Sequence, residues 1–429
     1  MSIAVRWIRT PPAMSVYSKT NNAIPLTPRF PAIPAWFFLV VILFLPSPGI
    51  YAEEISPSNT IPWYQRIADY QIKCLGNTLA FAKNRGTVWN YETGIFLKSI
   101  YMAGEKTGRP GYFNYVKHIM DYFVNADGTI NTYNPDDYNL DQINQGKLLL
   151  TLYTKTKEEK YKKAVFLLEH QLETQPRTAE GGFWHKKIYP HQIWLDGIYM
   201  AAPFYAEFAA IFNRPEGFDI AADQILLVAR HARDPKTGLF YHAWDESKKQ
   251  KWADSLTGCS SQFWGRGVGW YVMGIIDTLD YLPSDHPRRE EIIALFRALI
   301  RDVTAVQDPE TGLWYQVLNQ GKRSGNYLEA SASSMFVYAI AKGINRGFLD
   351  KKYIPAVTKA YAGIIRYLIK IDSAGSPHLT QICKTAGLGG KPYRNGSYAY
   401  YIGELRVTDD LKGIGPFIQA SLEMEGLRK

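Results

Sequence analysis

The sequence predicts an all-α protein, an (α/α)6 barrel of six helical hairpins in two concentric layers. Three observations lead there. Amphipathic and all-apolar helical segments alternate along the chain. The all-apolar segments begin alike, on a polar residue followed by small ones. The connecting loops repeat. An amphipathic helix has one wet face, whereas a helix apolar on every side is enclosed on every side.

The elements follow in chain order. Tyr112, Tyr115, Val116, Ile119 and Phe123 recur at helical spacing, with Lys117 and Asp121 on the other face. Tyr161, Ala164, Val165, Leu168 and Leu172 repeat the pattern. Residues 193–212 form the first long all-apolar stretch, rich in small residues. Phe218, Ala221, Ala222, Ile225 and Ala229 form the next amphipathic face, followed by the apolar stretch 269–279. Ile292, Leu295, Phe296 and Leu299 are amphipathic again, 330–344 is apolar, and a fifth amphipathic helix lies within 353–369.

The inner segments open on Glu92-Thr-Gly, Asp141 followed by Gly146, Asp196-Gly, Arg266-Gly, Glu329-Ala-Ser and Lys412-Gly. In the loops, Asp234-Pro-Lys-Thr-Gly-Leu-Phe-Tyr241 is echoed by Asp308-Pro-Glu-Thr-Gly-Leu-Trp-Tyr315, and more loosely by Gly181-Gly-Phe-Trp184. Such self-similarity points to stacked helical hairpins. Twelve helices over the 377 residues after position 52 allow about 31 residues for each helix and its connection, an ordinary length. Residues 53–429 are therefore read as a single barrel domain; a two-domain helical solenoid is the alternative. If all inner helices start at one end, their polar heads ring one mouth.

The chain has 429 residues, 46% hydrophobic and 21% charged, which suits a large core and not a disordered protein. Its net charge is +9, but four basic residues and no acid lie in the first 52, leaving 45 − 40 = +5 for the rest. That excess forms no basic run, so no nucleic-acid partner is expected. Three cysteines, Cys74, Cys259 and Cys383, exclude a disulfide scaffold and are read as packing residues. No Cys/His cluster suggests a metal, and no cofactor is expected. Residues 35–45 read AWFFLVVILFL, preceded by basic residues and followed by Ala52. The run is too short to span a bilayer stably, so residues 1–52 are expected to be a leader that directs export to the periplasm or medium. An uncleaved membrane anchor is the rival.

Candidate chemistry clusters at the polar heads. Asp196 is the only acid between Glu180 and Glu207 and heads a buried helix. Desolvation and a second carboxylate, Asp141, would raise its pKa, while the helix dipole opposes them. Paired carboxylates with split pKa values supply an acid and a base. His185 and His242 follow aromatic, strand-like tripeptides that lead toward the mouth. In Phe263-Trp-Gly-Arg-Gly-Val-Gly-Trp270, Trp264 and Trp270 offer faces for sugar stacking and Arg266 a fork for a carboxylate. Trp89 and Tyr91 open the first hairpin and add a further wall. No serine-nucleophile elbow stands out, so the site suits proton transfer on a sugar.

The chain resembles the unsaturated rhamnogalacturonyl hydrolases, glycoside hydrolase family 105, relatives of the unsaturated glucuronyl hydrolases. The matching segments are Asn139-Leu-Asp-Gln-Ile143 with Gly146-Lys-Leu-Leu, and Gln192-Ile-Trp-Leu-Asp-Gly-Ile-Tyr-Met200 with Pro203-Phe. Phe263–Trp270, Gly387-Leu-Gly-Gly390 with Tyr393-Arg-Asn-Gly-Ser397, and Lys412-Gly-Ile-Gly-Pro-Phe417 complete the pattern, from about Trp63 to the carboxy terminus. The resemblance implies the same barrel and an unusual reaction, hydration of the C4=C5 double bond that polysaccharide lyases leave on a terminal uronate. It implies that Asp196 protonates C4 and then assists water at C5, and that Asp141 positions the substrate. His185, His242, Trp264, Arg266 and Trp270 match positions lining the family's pocket. The implied ligand is an unsaturated uronate-containing disaccharide, from rhamnogalacturonan or alternatively from glycosaminoglycan or ulvan-type fragments; an ordinary inverting glycosidase is a further alternative. Asn395 stands where an aspartate is expected after the arginine.

Overall fold

The computed structural model describes residues 61–78 and 88–428. The leader residues 1–52, with their apolar run, lie outside the described residues. Thr60–Lys429 forms one compact unit.

The helices in chain order are α1 (Trp63–Leu75), α2 (Tyr91–Thr107), α3 (Pro110–Phe123), α4 (Gly146–Thr156), α5 (Glu159–Thr174), α6 (Leu195–Phe212), α7 (Glu216–Ala232), α8 (Gly265–Thr278), α9 (Arg289–Ala305), α10 (Ala330–Asn345), α11 (Ile354–Gly363), the short α12 (Tyr398–Gly403) and α13 (Leu411–Leu427). The inner ring is α2, α4, α6, α8, α10 and α13, each packed on the next, with α13 closing against α2. The outer helices α3, α5, α7, α9 and α11 each pack on the inner helix before them, and α1 packs on α13. This is the two-layered barrel that the alternating periodicity predicts.

The physical reason is plain in one hairpin. Tyr161, Ala164, Val165, Leu168 and Leu172 bury the inward face of α5, while its lysines and glutamates stay wet. Fourteen of the 18 residues of α6 are buried, because it is enclosed by neighbours on both sides and by α7 behind. Small residues let inner helices approach. A Cβ on Gly269 of α8 would lie 2.6 Å from Met335 Sδ of α10, so only glycine fits that contact.

Six short strands make three two-stranded antiparallel sheets: β1 (Gln192–Trp194) with β2 (Ala243–Asp245), β3 (Ile369–Ile371) with β4 (Pro377–Leu379), and β5 (Ile382–Cys383) with β6 (Arg406–Val407). Residues 193 and 194, read from sequence as the start of an apolar helix, belong to β1; the helix begins at Leu195. Cys259 and Cys383 are buried, but Cys74, also read as a packing residue, is exposed, because it faces outward from α1. Among the described residues no helix is long and apolar enough to cross a membrane.

Candidate active site

Five of the six polar heads lie at or just before the first turn of an inner helix, Asp141 lies in a 3-10 turn (Leu140–Gln142) ahead of α4, and most are already engaged by their neighbours. Glu329 caps α10, accepting from Ala332 N–H at 2.6 Å and from Cys383 N–H at 2.9 Å. Lys412 pairs with Glu92 at 2.8 Å and with Asp410 at 2.8 Å. Arg266 donates to the Cys383 carbonyl and lies 3.5 Å from Ser331 Oγ. Asp196 is different. It is the second residue of α6, whose N-cap position is held by Trp194, and so is not the capping residue of its helix. It faces a histidine instead.

The fold sets each key acid against a histidine by one repeated backbone device. The Leu195 N–H donates to the His242 carbonyl at 3.0 Å, and the Leu140 N–H donates to the His185 carbonyl at 3.1 Å. The next residue in each case is the aspartate. Asp196 Oδ2 consequently lies 3.2 Å from His242 Nε2, and Asp141 Oδ1 lies 3.6 Å from His185 Nε2. The β1–β2 pairing, Trp194 opposite Ala243, braces the first of these clamps. Gly265 N–H to the Gln316 carbonyl (2.8 Å) and Ala330 N–H to the Gln381 carbonyl (3.0 Å) repeat the device at the heads of α8 and α10, where glutamines replace the histidines. The loop repeat in the sequence is thus the trace of a positioning element.

Around this core stand residues that the sequence alone did not single out. Lys186 Nζ lies 2.5 Å from Asp141 Oδ2. Tyr401 Oη lies 2.7 Å from His242 Nδ1, holding the ring that faces Asp196. Trp194 stacks on His185 with centroids 4.8 Å apart and meets His242 edge-on at 5.2 Å. Tyr189 stacks on Trp194 at 4.9 Å, its ring parallel to that of His185 and 6.5 Å from it, and Arg394 donates to its hydroxyl at 2.9 Å. Lys186 and Tyr189 flank motif segments without repeating; Tyr401 is brought in over 159 positions, which no local pattern could signal.

The electrostatics differ from expectation at Asp196. Burial alone would raise its pKa, but the contact with His242 and the charges of His242 and Arg266 outweigh it, and the carboxyl sits below its ordinary value. The elevation expected from burial and a second carboxylate is therefore not what the site shows. Asp196 is therefore ionised in the free protein at neutral pH. Burial pushes His185 down to about 4, so it is a neutral imidazole there. Burial would lower Lys186, but Asp141 more than offsets this and holds the ammonium charged. Tyr91 is pushed well above the usual tyrosine value, first by burial and then by Glu92; Asp141 and Asp196 act on it too, and its hydroxyl remains a neutral donor.

Arg266 and the tryptophans also require correction. Arg266 is 1% exposed and committed to the Cys383 carbonyl, so it acts on the site as a fixed buried charge and not as an open fork for a substrate carboxylate. Trp89, Trp264 and Trp270 are each 1% exposed. Trp264 backs His242 at 4.5 Å and donates to Gln316 Oε1 at 3.2 Å; Trp89 donates to the Gln142 carbonyl at 2.8 Å; Trp270 packs between Tyr91 and Tyr199. They form the wall behind the cup, so their faces are closed to sugar stacking. Gly267 forms part of the floor: a Cβ there would lie 3.4 Å from the His242 ring and 3.8 Å from Asp196 Oδ2. Among the described residues no three His, Cys, Asp or Glu side chains are grouped to hold a metal ion.

A helical barrel whose polar helix heads carry two aspartates, each set against a histidine, fits a carbohydrate-active enzyme of acid–base type. The chain belongs to Glycosyl Hydrolase Family 88, whose family description matches residues 63–428, and it is a glycosidase. A solved glycoside hydrolase from family 105 of Clostridium acetobutylicum is 44% identical, with a TM-score of 0.82 over 85% of this chain and 99% of that one. Protein Atu3128 of Agrobacterium fabrum is 37% identical over 230 residues, 52% of this chain and 97% of its own length. The unsaturated rhamnogalacturonyl hydrolase YesR of Bacillus subtilis is 28% identical over 283 residues, 65% of this chain and 75% of that protein.

Proposed function

We propose that this glycosidase removes the unsaturated uronate from lyase-generated rhamnogalacturonan fragments by hydrating its C4=C5 double bond. The observation that carries the reading is Asp196, uncommitted to capping and set 3.2 Å from His242 at the head of α6. The likeness to YesR supports the substrate class. The Asp196 carboxyl gives its proton to C4, and water adds at C5 while its proton returns to the carboxylate. The resulting C5 hemiketal opens by breaking its bond to the ring oxygen. That leaves a hemiacetal at C1, which expels the rest of the saccharide. General acid–base assistance of this kind is worth roughly 10²–10⁴-fold.

The depressed pKa of Asp196 fits this role through the substrate itself. A bound uronate adds a negative charge beside Asp196, which favours its protonated form. Asp141, held by Lys186 and facing His185, orients the sugar hydroxyls. Tyr189, half-buried against Trp194, offers the leaving sugar a surface. The polysaccharide source is pectin in this reading, and residues 1–52 direct export. Amino-terminal sequencing of the mature protein checks the leader, and a start well before position 46 overturns it.

The test is incubation with an unsaturated disaccharide, following loss of the conjugated ultraviolet band. In heavy-oxygen water the label enters at C5; label at the anomeric carbon contradicts the mechanism. Asp196→Asn is expected to abolish turnover and retain disaccharide binding, and a substantially active variant overturns the assignment.

A further inference from the structure

Further along the inner helices from Asp196 and Asp141 the barrel holds a chamber. Its volume is about 160 Å³, some ten times what a single water needs. Its lining comes from all six inner helices, including Lys98, Lys147, Glu207, Asp277, Lys342 and Gln419. Glu207 follows Asp196 by eleven positions along α6, about 16 Å down the helix axis. Between cup and chamber lies an aromatic partition: Tyr91 meets Trp270 at 6.0 Å, and Trp270 stacks on Tyr199 at 4.8 Å.

The chamber's charges are unequally used. Asp277 is met by Lys342 at 2.5 Å and by the Tyr338 hydroxyl at 2.7 Å. Asp280 is met by Lys342 at 2.7 Å and by Arg346 at 3.0 Å. Glu423 accepts from Asn345 at 2.8 Å. Lys147 is 4% exposed, donates to the Tyr199 carbonyl at 3.1 Å and lies 3.5 Å from the centre of the Tyr199 ring. Among the described residues no carboxylate reaches it at ion-pair distance. Gln419 is 1% exposed, and its side-chain amide lies beside the Tyr199 hydroxyl. A buried ammonium without a counter-ion is costly, and an acceptor placed beside it relieves that cost.

We propose that this chamber is a second binding site, taking a small oxyanion such as inorganic phosphate or a short carboxylate on Lys147, Lys98 and Gln419. Burial raises the pKa of Glu207 from its ordinary value. Burial lowers Lys147 to about 7 in the free protein. The groups facing it are Lys98 from α2, Glu207 and Tyr199 from α6, Asp277 from α8, Lys342 from α10 and Gln419 from α13. Anion binding favours the ammonium, so it takes up a proton and weakens as pH rises past 7.

Calorimetric titration of the whole protein with inorganic phosphate, and separately with acetate, tests this. The expected result is one saturable site for at least one of the two, with proton uptake above pH 7. Lys98→Gln weakens it about tenfold or more, the worth of one charged hydrogen bond. Lys147→Met removes it, and Lys186→Gln at the catalytic cup leaves it unchanged. Should Lys147→Met not fold, the contrast between Lys98→Gln and Lys186→Gln decides alone. No saturable binding of either anion, binding indifferent to Lys98→Gln, or binding lost in Lys186→Gln overturns the proposal.

Discussion

Asp196 and Asp141 have the same side chain and opposite company. Asp196 has His242 and the distant buried charge of Arg266; Asp141 has Lys186 in direct contact. In the proposed mechanism the proton donor must therefore acquire its proton in the complex. The pH profile tests this with a definite sign. A group that must be protonated loses activity as pH rises through its pKa. The falling limb of kcat/KM reports the free enzyme, and that of kcat reports the bound state. The kcat limb is expected at higher pH, because the substrate carboxylate raises Asp196; coincident limbs would remove substrate assistance from the mechanism. Lys186→Gln is the second test at this scale. It removes a charged contact to Asp141, and the expected cost is about 10–100-fold in kcat/KM, carried mainly by KM. An unchanged KM would make Lys186 irrelevant to binding. Asp196, Asp141 and both histidines were legible in sequence because each stands at a repeated offset. The burial of Arg266, Trp264 and Trp270 was not, since a motif names the side chain and not the neighbours that enclose it.

The elements explain why the offsets repeat. Each loop strand returns a carbonyl to the N–H at the head of an inner helix, at Leu140, Leu195, Gly265 and Ala330. What varies is the residue that supplies the carbonyl: His185, His242, Gln316 and Gln381. The hairpin architecture was readable from helical periodicity, a property of many residues together. The strands were not, because two or three residues carry no usable period. Helix spacing is the other determinant at this scale. Gly269→Val would drive α8 from Met335 of α10, and overpacking of this kind costs about 1–3 kcal/mol. Arg266 sits three residues earlier on the same helix and would shift with it. The expected outcome is a lower denaturant midpoint together with a lower kcat. Adding Met335→Ala should recover part of the stability, and a double variant no better than the single one would show that the α8–α10 approach is not the cause.

The described helices form a ring, and a ring has a seam. It closes where α13 meets α2 on the inside and α1 on the outside. Glu92 and Lys412 bridge the inner seam at 2.8 Å. On the outer side the Tyr64 N–H donates to Ser421 Oγ at 3.0 Å, and Tyr361 shares that hydroxyl at 2.7 Å. Ile67 of α1 is fully buried in this joint. Every inner helix needs both neighbours to cover it, so opening the seam exposes α13 and α2 and leaves no complete cup. Stability at the seam and activity at the mouth should therefore fail together, although Ile67 touches no site residue. Ile67→Ala removes buried side-chain carbons and should cost about 2–4 kcal/mol. In equilibrium denaturant unfolding, the near-ultraviolet aromatic signal and the catalytic activity are expected to fall at one shared, lowered midpoint. A variant that lost the aromatic signal in two steps, with activity surviving the first, would show a barrel able to open at α1 while its mouth stays formed, and the ring would not be the cooperative unit.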